Sequence, residues 1–208
     1  MDHVSPAQDH WQQVYQTKAP DSVSWYQPTA ARSLALLREG GLGPQSAVID
    51  VGGGASRLVD ALLDELVRSI TVLDLAEAAL ALTRQRLGER ASQVTWLVGD
   101  INQVALPAQA YDLWHDRAVF HFMTTPGQRT AYLEALQHAL KPGGHVVMST
   151  FAEDGPERCS GVPVQRYSRE DLLKALGPRF TLLAHEHELH TTPGGMPQAF
   201  NHALLRFA

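Results

Sequence analysis

Residues 48–56 read Val-Ile-Asp-Val-Gly-Gly-Gly-Ala-Ser. An apolar run that ends in an acid and meets three glycines at once reads as a buried strand followed by a turn that needs bare backbone. Downstream, 56–68 (S-R-L-V-D-A-L-L-D-E-L-V-R) puts Leu58, Leu62, Leu63 and Leu66 on one helical face. A second strand follows at Ile70–Leu75, a helix at Ala76–Leu87, a third strand at Val94–Val98 and a fourth beginning at Tyr111–Trp114. Thr125-Pro126-Gly127-Gln128 has the form of a capping box, opening a helix to about Leu140 that Lys141-Pro142-Gly143-Gly144 stops before a fifth strand, His145–Thr150. Ser168 with Asp171 opens one more helix, closed by Gly177-Pro178, and Phe180–Leu189 and Gln198–Phe207 read as a terminal hairpin around Thr191–Gly195. Strands alternating with helices mean βαβ units, hence an α/β, doubly wound, mostly parallel sheet with an antiparallel C-terminal hairpin.

Upstream, residues 1–45 precede the first strand and read as one or two helices joined by a loop. The 208 residues fit one domain, 1–208, with a helical cap at 1–45 and an α/β core at 46–208. Lys+Arg total 17 against Asp+Glu 22, with no basic block, so nothing marks a nucleic-acid partner. The lone cysteine, Cys159, rules out an internal disulfide and agrees with a reducing compartment. The first residues lack the basic and apolar regions of a signal peptide, and no apolar run spans a bilayer. A cytoplasmic protein with no membrane partner is expected.

In an open α/β sheet, ligands sit beyond the carboxyl ends of the strands, where this glycine turn lies. A phosphate-binding loop of the G-x-x-x-x-G-K type is excluded because the turn has no lysine. The dinucleotide pattern G-x-G-x-x-G fails too: Gly52 and Gly54 fit, but Arg57 occupies the third glycine position, and Asp50 would oppose a pyrophosphate. Asp50, Asp74 (in V-L-D-L) and Asp100 (in V-G-D-I) end three successive strands. Taken singly, each is an ordinary helix cap or surface acid. As a set they suit a cationic nucleoside with no phosphate. Asp50 would face the cationic portion, Asp74 with Leu75 would receive two ribose hydroxyls, and Asp100 with Ile101 would read an adenine edge.

Asp50-Val51-Gly52-Gly53-Gly54, the acids that follow, L-K-P-G-G-H-V-V-M and the closing hairpin together resemble the class I S-adenosylmethionine-dependent methyltransferases over about residues 45–208. The resemblance implies a Rossmann-like seven-stranded sheet, S-adenosylmethionine as cofactor, and Gly52, Gly53 and Gly54 at its methionine end. In the N-terminal stretch, Trp11 and Tyr15 lie four apart on a helical face, with Trp25 and Tyr26 in the loop beyond. This is similar to the group containing the lysine methyltransferases of elongation factor 1A and citrate synthase, and implies that Trp11, Tyr15 and Trp25 cover the cofactor. The bland alternative is a helix packed on the sheet through its aromatics.

The fourth strand continues as Asp116-Arg117-Ala118-Val119, which is similar instead to thiopurine-type small-molecule methyltransferases. By that likeness Asp116 and Arg117 would lie beside the methionine end and the acceptor, although Arg117 also fits a structural ion-pair role. His121 and His115 are candidate bases for an acceptor that arrives protonated. In the loop after the fifth strand, Cys159, Arg158, Arg166 and Tyr167 would face the acceptor, as would Tyr26. Cys159 fits a soft acceptor, or a plain buried apolar role. His185, His187, His190 and His202 crowd the hairpin without a zinc spacing, so no metal is expected. The expected activity is methyl transfer to a nitrogen, oxygen or sulfur of a small molecule. Protein lysine is the runner-up. A non-catalytic regulator that binds a nucleoside or metal is the rival of another class.

Overall fold

The structure, a computed structural model, describes residues 5–208. The first four residues of the expected cap therefore lie outside the described residues. Ser5 opens helix α1 (Pro6–Thr17), its hydroxyl accepting the Gln8 N–H at 3.2 Å with proline in the first turn. Helix α2 (Ala31–Glu39) follows, then alternating strands and helices: β1 (Ala47–Val51), α3 (Leu58–Asp64), β2 (Ser69–Asp74), α4 (Glu77–Leu87), β3 (Val94–Val98), β4 (Tyr111–Arg117), α5 (Pro126–Ala139) and β5 (Leu140–Phe151). A two-residue ribbon, β6 (Arg158–Cys159) with β7 (Val162–Pro163), precedes α6 (Arg169–Leu176) and the hairpin β8 (Phe180–Thr191) and β9 (Pro197–Phe207).

The main sheet has seven strands in the order β3-β2-β1-β4-β5-β9-β8. The first five are parallel, and β9 and β8 are antiparallel additions at one edge. The chain builds outward from β1 to β3, then returns to the other side of β1. The crevice between the ends of β1 and β4 is thus the switch point where such sheets hold ligands. Side chains alternate across the strands. On one face Ile49, Val51 and Trp114 pack with Tyr132 and Leu136 of α5 and Leu172 of α6. On the other, Val48, Val72 and Leu113 pack with leucines of α2, α3 and α4. Strand β9 is buried for most of its length because it lies between β5 and β8. Among the described residues no helix is long and apolar enough to cross a membrane.

Two expectations about elements change. Leu66 does not join the apolar face of α3. The helix stops at Asp64, the Val67 N–H turns back to the Leu62 carbonyl, and Leu66 takes φ 60° with 72% of its surface exposed. Periodicity alone cannot see this C-terminal turn. Likewise Lys141–Gly144 is not a connection outside the sheet. Leu140 already pairs with Tyr111 and His145 with Leu113, so the turn residues between them are absorbed into β5 as an irregularity opposite Asp112.

The Thr125–Gln128 capping box forms as read. It starts α5 so that Tyr132 reaches the sheet. There the Trp114 indole N–H donates to the Tyr132 oxygen at 3.0 Å, and the Tyr132 hydroxyl donates to the Asp116 carboxylate. All three residues are fully buried. Tyr132→Phe leaves one buried donor and one buried acceptor short of a partner, so it is expected to cost about 2 kcal/mol of unfolding free energy. Urea denaturation followed by fluorescence measures this, and an unmoved midpoint would remove the chain's structural weight.

Candidate functional site

The glycine turn after β1 crosses the end of β2: the N–H groups of Gly52 and Gly53 both donate to the Leu73 carbonyl, at 2.7 and 3.2 Å. Gly52 has φ 70°, and a β-carbon there would come within 2.1 Å of Val119. At Gly53 a β-carbon would meet the Asp50 carboxylate at 2.5 Å. Bare backbone is therefore required by packing against the chain itself. The Gly54 carbonyl accepts the Thr83 hydroxyl at 2.7 Å, and a β-carbon at Gly54 would meet the Asp74 carboxylate at 2.6 Å.

In front of this turn lies a cavity of about 310 Å³. Asp74, at the end of β2, lines it. Its carboxylate accepts the Ala76 N–H at 2.8 Å. Burial pushes the Asp74 carboxyl up to about 7; N–H groups of Ala76, Gly54 and Leu75 work against that shift, and the charge of Asp50 adds to it. Leu75, Asp100 and Ile101 are on the same wall. Asp100 receives the Asn102 N–H at 2.9 Å, which shapes the turn after β3. Asp50 sits next door, on the wall of a smaller cavity of about 60 Å³. One of its oxygens meets His115 Nδ1 at 2.7 Å, and His115 Nε2 meets the Ser33 hydroxyl of α2 at 2.8 Å. The other Asp50 oxygen is buried without a partner. Gly52, Tyr15, Trp25 and Arg117 line both cavities, so the two adjoin.

Aromatic residues of the N-terminal stretch cover the larger cavity. Trp11 and Tyr15, one turn apart on α1, both line it with Trp25. Trp11 meets Trp25 and Phe122 edge to face, with ring centroids 5.5 and 5.2 Å apart. The Trp25 indole N–H donates to the Tyr15 oxygen at 3.1 Å. Gln12 ties α1 to α4 by accepting the Ala78 N–H at 3.1 Å.

The residues expected to do chemistry divide sharply. Arg117 lines both cavities, whereas Asp116 and His121 line neither. Neighbours along a strand point to opposite faces, so one member of the Asp116-Arg117 pair had to turn away. Asp116 closes the turn after β4 instead, accepting from the N–H groups of Val119 at 2.8 Å and Phe120 at 3.0 Å as well as from Tyr132. Burial raises its carboxyl to about 6 against those donors. His121 is fully buried, and its Nδ1 accepts the Phe151 N–H at 3.3 Å. Burial first, and then the charge of Arg117, depress it to about 3. A neutral, enclosed imidazole of that kind is a poor base. The expectation that these two residues face cofactor or acceptor is not met by the geometry.

Of the expected acceptor contacts, Cys159 lines the larger cavity. Burial pushes its thiol up to about 12, opposed by Arg117, so it stays protonated. Tyr26 lines the smaller cavity. Arg166 lies on an outer groove beside Glu157, and Tyr167 is buried with its ring stacked on Phe120 at 5.5 Å. Neither lines the site. Arg158 is exposed and donates to the Gly161 carbonyl. Three of the four hairpin histidines have separate partners: His187 meets Asp154, His190 the Ser24 carbonyl, and His202 lies between Ser149 and Glu188, while the Nε2 of His185 is buried without one. Among the described residues no group of three or more His, Cys, Asp or Glu gathers as metal ligands would. Sequence reasoning missed Phe122 and Met123, which line the cavity after β4, and the Ser33–His115–Asp50 chain. Phe122 gave no signal beyond its closeness to the Asp-Arg pair. The chain joins residues 82 positions apart.

The arrangement offers carboxylates for hydroxyl and amine donors, with an aromatic wall for a flat or cationic body. Residues 48–144 match the family model for a methyltransferase domain. The chain is similar to the malonyl-[acyl-carrier protein] O-methyltransferase of Serratia marcescens, 30% identical over 160 residues that cover 75% of this chain and 59% of that protein. It is also similar to the eEF1A lysine and N-terminal methyltransferase of Danio rerio, 23% identical over 149 residues, 70% of this chain and 21% of that one. The chain spans about half the length of the first curated relatives it matches. Its fold is like that of the 1,6-didemethyltoxoflavin-N1-methyltransferase of Burkholderia thailandensis, solved with 1,6-didemethyltoxoflavin and S-adenosylhomocysteine bound. That likeness has a TM-score of 0.68 at 21% identity and covers 97% of this chain and 84% of that one.

Proposed function

We propose that this chain, a class I S-adenosylmethionine-dependent methyltransferase by its methyltransferase-domain match and its relatives, methylates a small molecule whose acceptor atom arrives with its lone pair free. The observation that carries the reading is the make-up of the cavity wall. Asp74 and Asp100 share it with Trp11, Phe122 and Met123, and no lysine lines it. Such a wall suits a nucleoside that carries a positive centre and no phosphate. The buried, unpartnered oxygen of Asp50 next door suits the ammonium of its amino-acid end.

Asp74 would hold the ribose, Asp100 and Ile101 the adenine, and Gly52 and Gly53 would let the backbone approach the amino-acid end. When bound, the cofactor would supply an electrophilic methyl carbon to the acceptor's lone pair, its sulfur leaving with the electrons of the broken bond. The protein's own part is to align the partners and exclude water, through the cover of Trp11, Tyr15 and Trp25. Among the described residues no free base faces the acceptor side, since the Cys159 thiol is held protonated and His121 is walled off. This disfavours the lysine reading that the similarity to the Danio rerio protein raises, because a lysine amine is protonated near neutral pH. It favours ring nitrogens, thiolates and acidic hydroxyls.

Calorimetry with S-adenosylmethionine, NAD and ATP tests the first step, and release of S-adenosylhomocysteine over a small-molecule panel tests the second. Binding only of NAD or ATP would end the reading. A pH effect is also expected. The ionised Asp74 is the better acceptor for ribose hydroxyls, and its carboxyl titrates at about 7 in the free protein. Protonation as pH falls therefore opposes binding. Affinity for S-adenosylmethionine is expected to drop about tenfold from pH 8 to pH 6. Asp74→Asn should flatten that profile, and a flat wild-type curve would contradict the assignment.

A further inference from the structure

Arg117 ends β4 at the junction of the two cavities and lines both. Its Nη1 donates to the Trp25 carbonyl at 2.9 Å, and its guanidinium carbon lies 4.9 Å from the centre of the Phe200 ring. Nε and Nη2 are buried and have no partner in the protein. That Nε–Nη2 edge is the fork that matches the two oxygens of a carboxylate. Burial lowers the group only to about 10, so it stays charged at neutral pH.

A buried cation with two unmade hydrogen bonds is costly to keep. Among the described residues no free anion bonds to that edge; the unpartnered oxygen of Asp50 lies on the wall of the smaller cavity and makes no hydrogen bond to Arg117. Glu188, whose charge acts on Arg117, is bound by His202 at 2.7 Å, and Asp116 is committed on the opposite face to Tyr132, Val119 and Phe120. The missing anion therefore comes with a ligand. Both the cofactor and an acceptor can carry a carboxylate. The seat expected for the cofactor's amino-acid end has another cation on its wall, Arg57. Arg117 also neighbours the buried Phe200 of β9 and Cys159 of β6, and Cys159 lines the larger cavity on the side expected to take the acceptor. We propose that Arg117 grips a carboxylate carried by the methyl acceptor, which is a small, mainly apolar organic acid methylated at another of its atoms. A carboxylate held by a guanidinium has its lone pairs engaged and is a weak nucleophile. Phe122, Met123, Val162 and Pro163 suit the apolar body. The inference rests on the reading of the site given under the proposed function.

The test uses the full chain saturated with S-adenosylhomocysteine. Matched acid and amide probes (benzoate and benzamide, nicotinate and nicotinamide, 2-mercaptobenzoate and 2-mercaptobenzamide) are titrated while tryptophan fluorescence is followed. At least one acid is expected to bind about tenfold or more tightly than its amide. Arg117→Met should erase that preference and Arg117→Lys should keep part of it, with S-adenosylhomocysteine affinity within about threefold of wild type in both. No acid preference in the wild type, or a preference that survives in Arg117→Met, overturns the proposal. So does an about tenfold loss of S-adenosylhomocysteine affinity in Arg117→Met with 5′-methylthioadenosine affinity unchanged, since the guanidinium would then serve the cofactor's carboxylate. A wild-type protein that does not bind S-adenosylhomocysteine at all overturns the reading of the site itself, before any probe is added.

Discussion

Asp74→Ala is expected to weaken S-adenosylmethionine binding by roughly a hundredfold to ten-thousandfold, while the protein stays folded. Two hydroxyl bonds to an ionised carboxylate are worth about 1.5–3 kcal/mol each, and both go at once. The fold should tolerate the loss. The Asp74 carboxyl titrates at about 7, well above its ordinary value of 3.8, so in the unliganded protein the charged form is the disfavoured one. A carboxyl raised on folding holds its proton longer than in the unfolded chain. Its contribution to stability therefore declines as pH rises from about 4 to about 7. Asp74→Asn keeps an oxygen for the Ala76 N–H, removes that decline and still loses the ribose contacts. Calorimetry and thermal melts together decide the matter: an affinity within about threefold of wild type would show that Asp74 does not hold the ribose.

The other large effect belongs to Gly52→Ala, expected to cost about 2–5 kcal/mol of stability. A side chain at φ 70° carries a backbone penalty of about 1–2 kcal/mol. The overlap of its β-carbon with Val119 at 2.1 Å adds an overpacking cost of about 1–3 kcal/mol. The two parts separate in a double variant: Gly52→Ala with Val119→Ala should recover the overlap and leave the backbone strain. Denaturation of both variants reads this directly. A single variant as stable as wild type would mean that the turn is not held as described.

The sheet could be read from the sequence because its signals are local. Apolar runs with turn residues at their ends marked β1 to β3 and the start of β4 within a residue or two, whereas β5 begins five residues before the expected His145; Thr125 and Ser168 announced their helices by capping chemistry that acts over three residues. Asp74 and Asp100 could be placed because β2 and β3 are parallel neighbours that end side by side. What escaped depends on direction or on distance along the chain. Asp116 and Arg117 looked like one functional pair, yet the alternation of a strand sends one into a buried network and the other to the cavities. His121 seemed a base until the short turn after β4 folded it under Phe151. Arg166 and Tyr167 follow the ribbon β6–β7, whose crossing over the cavity, rather than sequence position, decides which of its residues look inward. The Ser33–His115–Asp50 chain needs α2 to lie against β4, which no local pattern encodes.

The edge-to-face rings above the cavity have a kinetic meaning. Trp11 touches Trp25 and Phe122, and Tyr15 touches Trp25, all through contacts worth about 0.5–1.5 kcal/mol each. The strands beneath are locked by a continuous ladder of backbone bonds. Of the two, the aromatic layer is the one whose parting costs less, so a bound molecule is expected to leave past these indoles and not through the floor. Thickening the solvent with sucrose is expected to slow turnover if this layer must part in each cycle, and an unchanged rate would show that bond making limits instead.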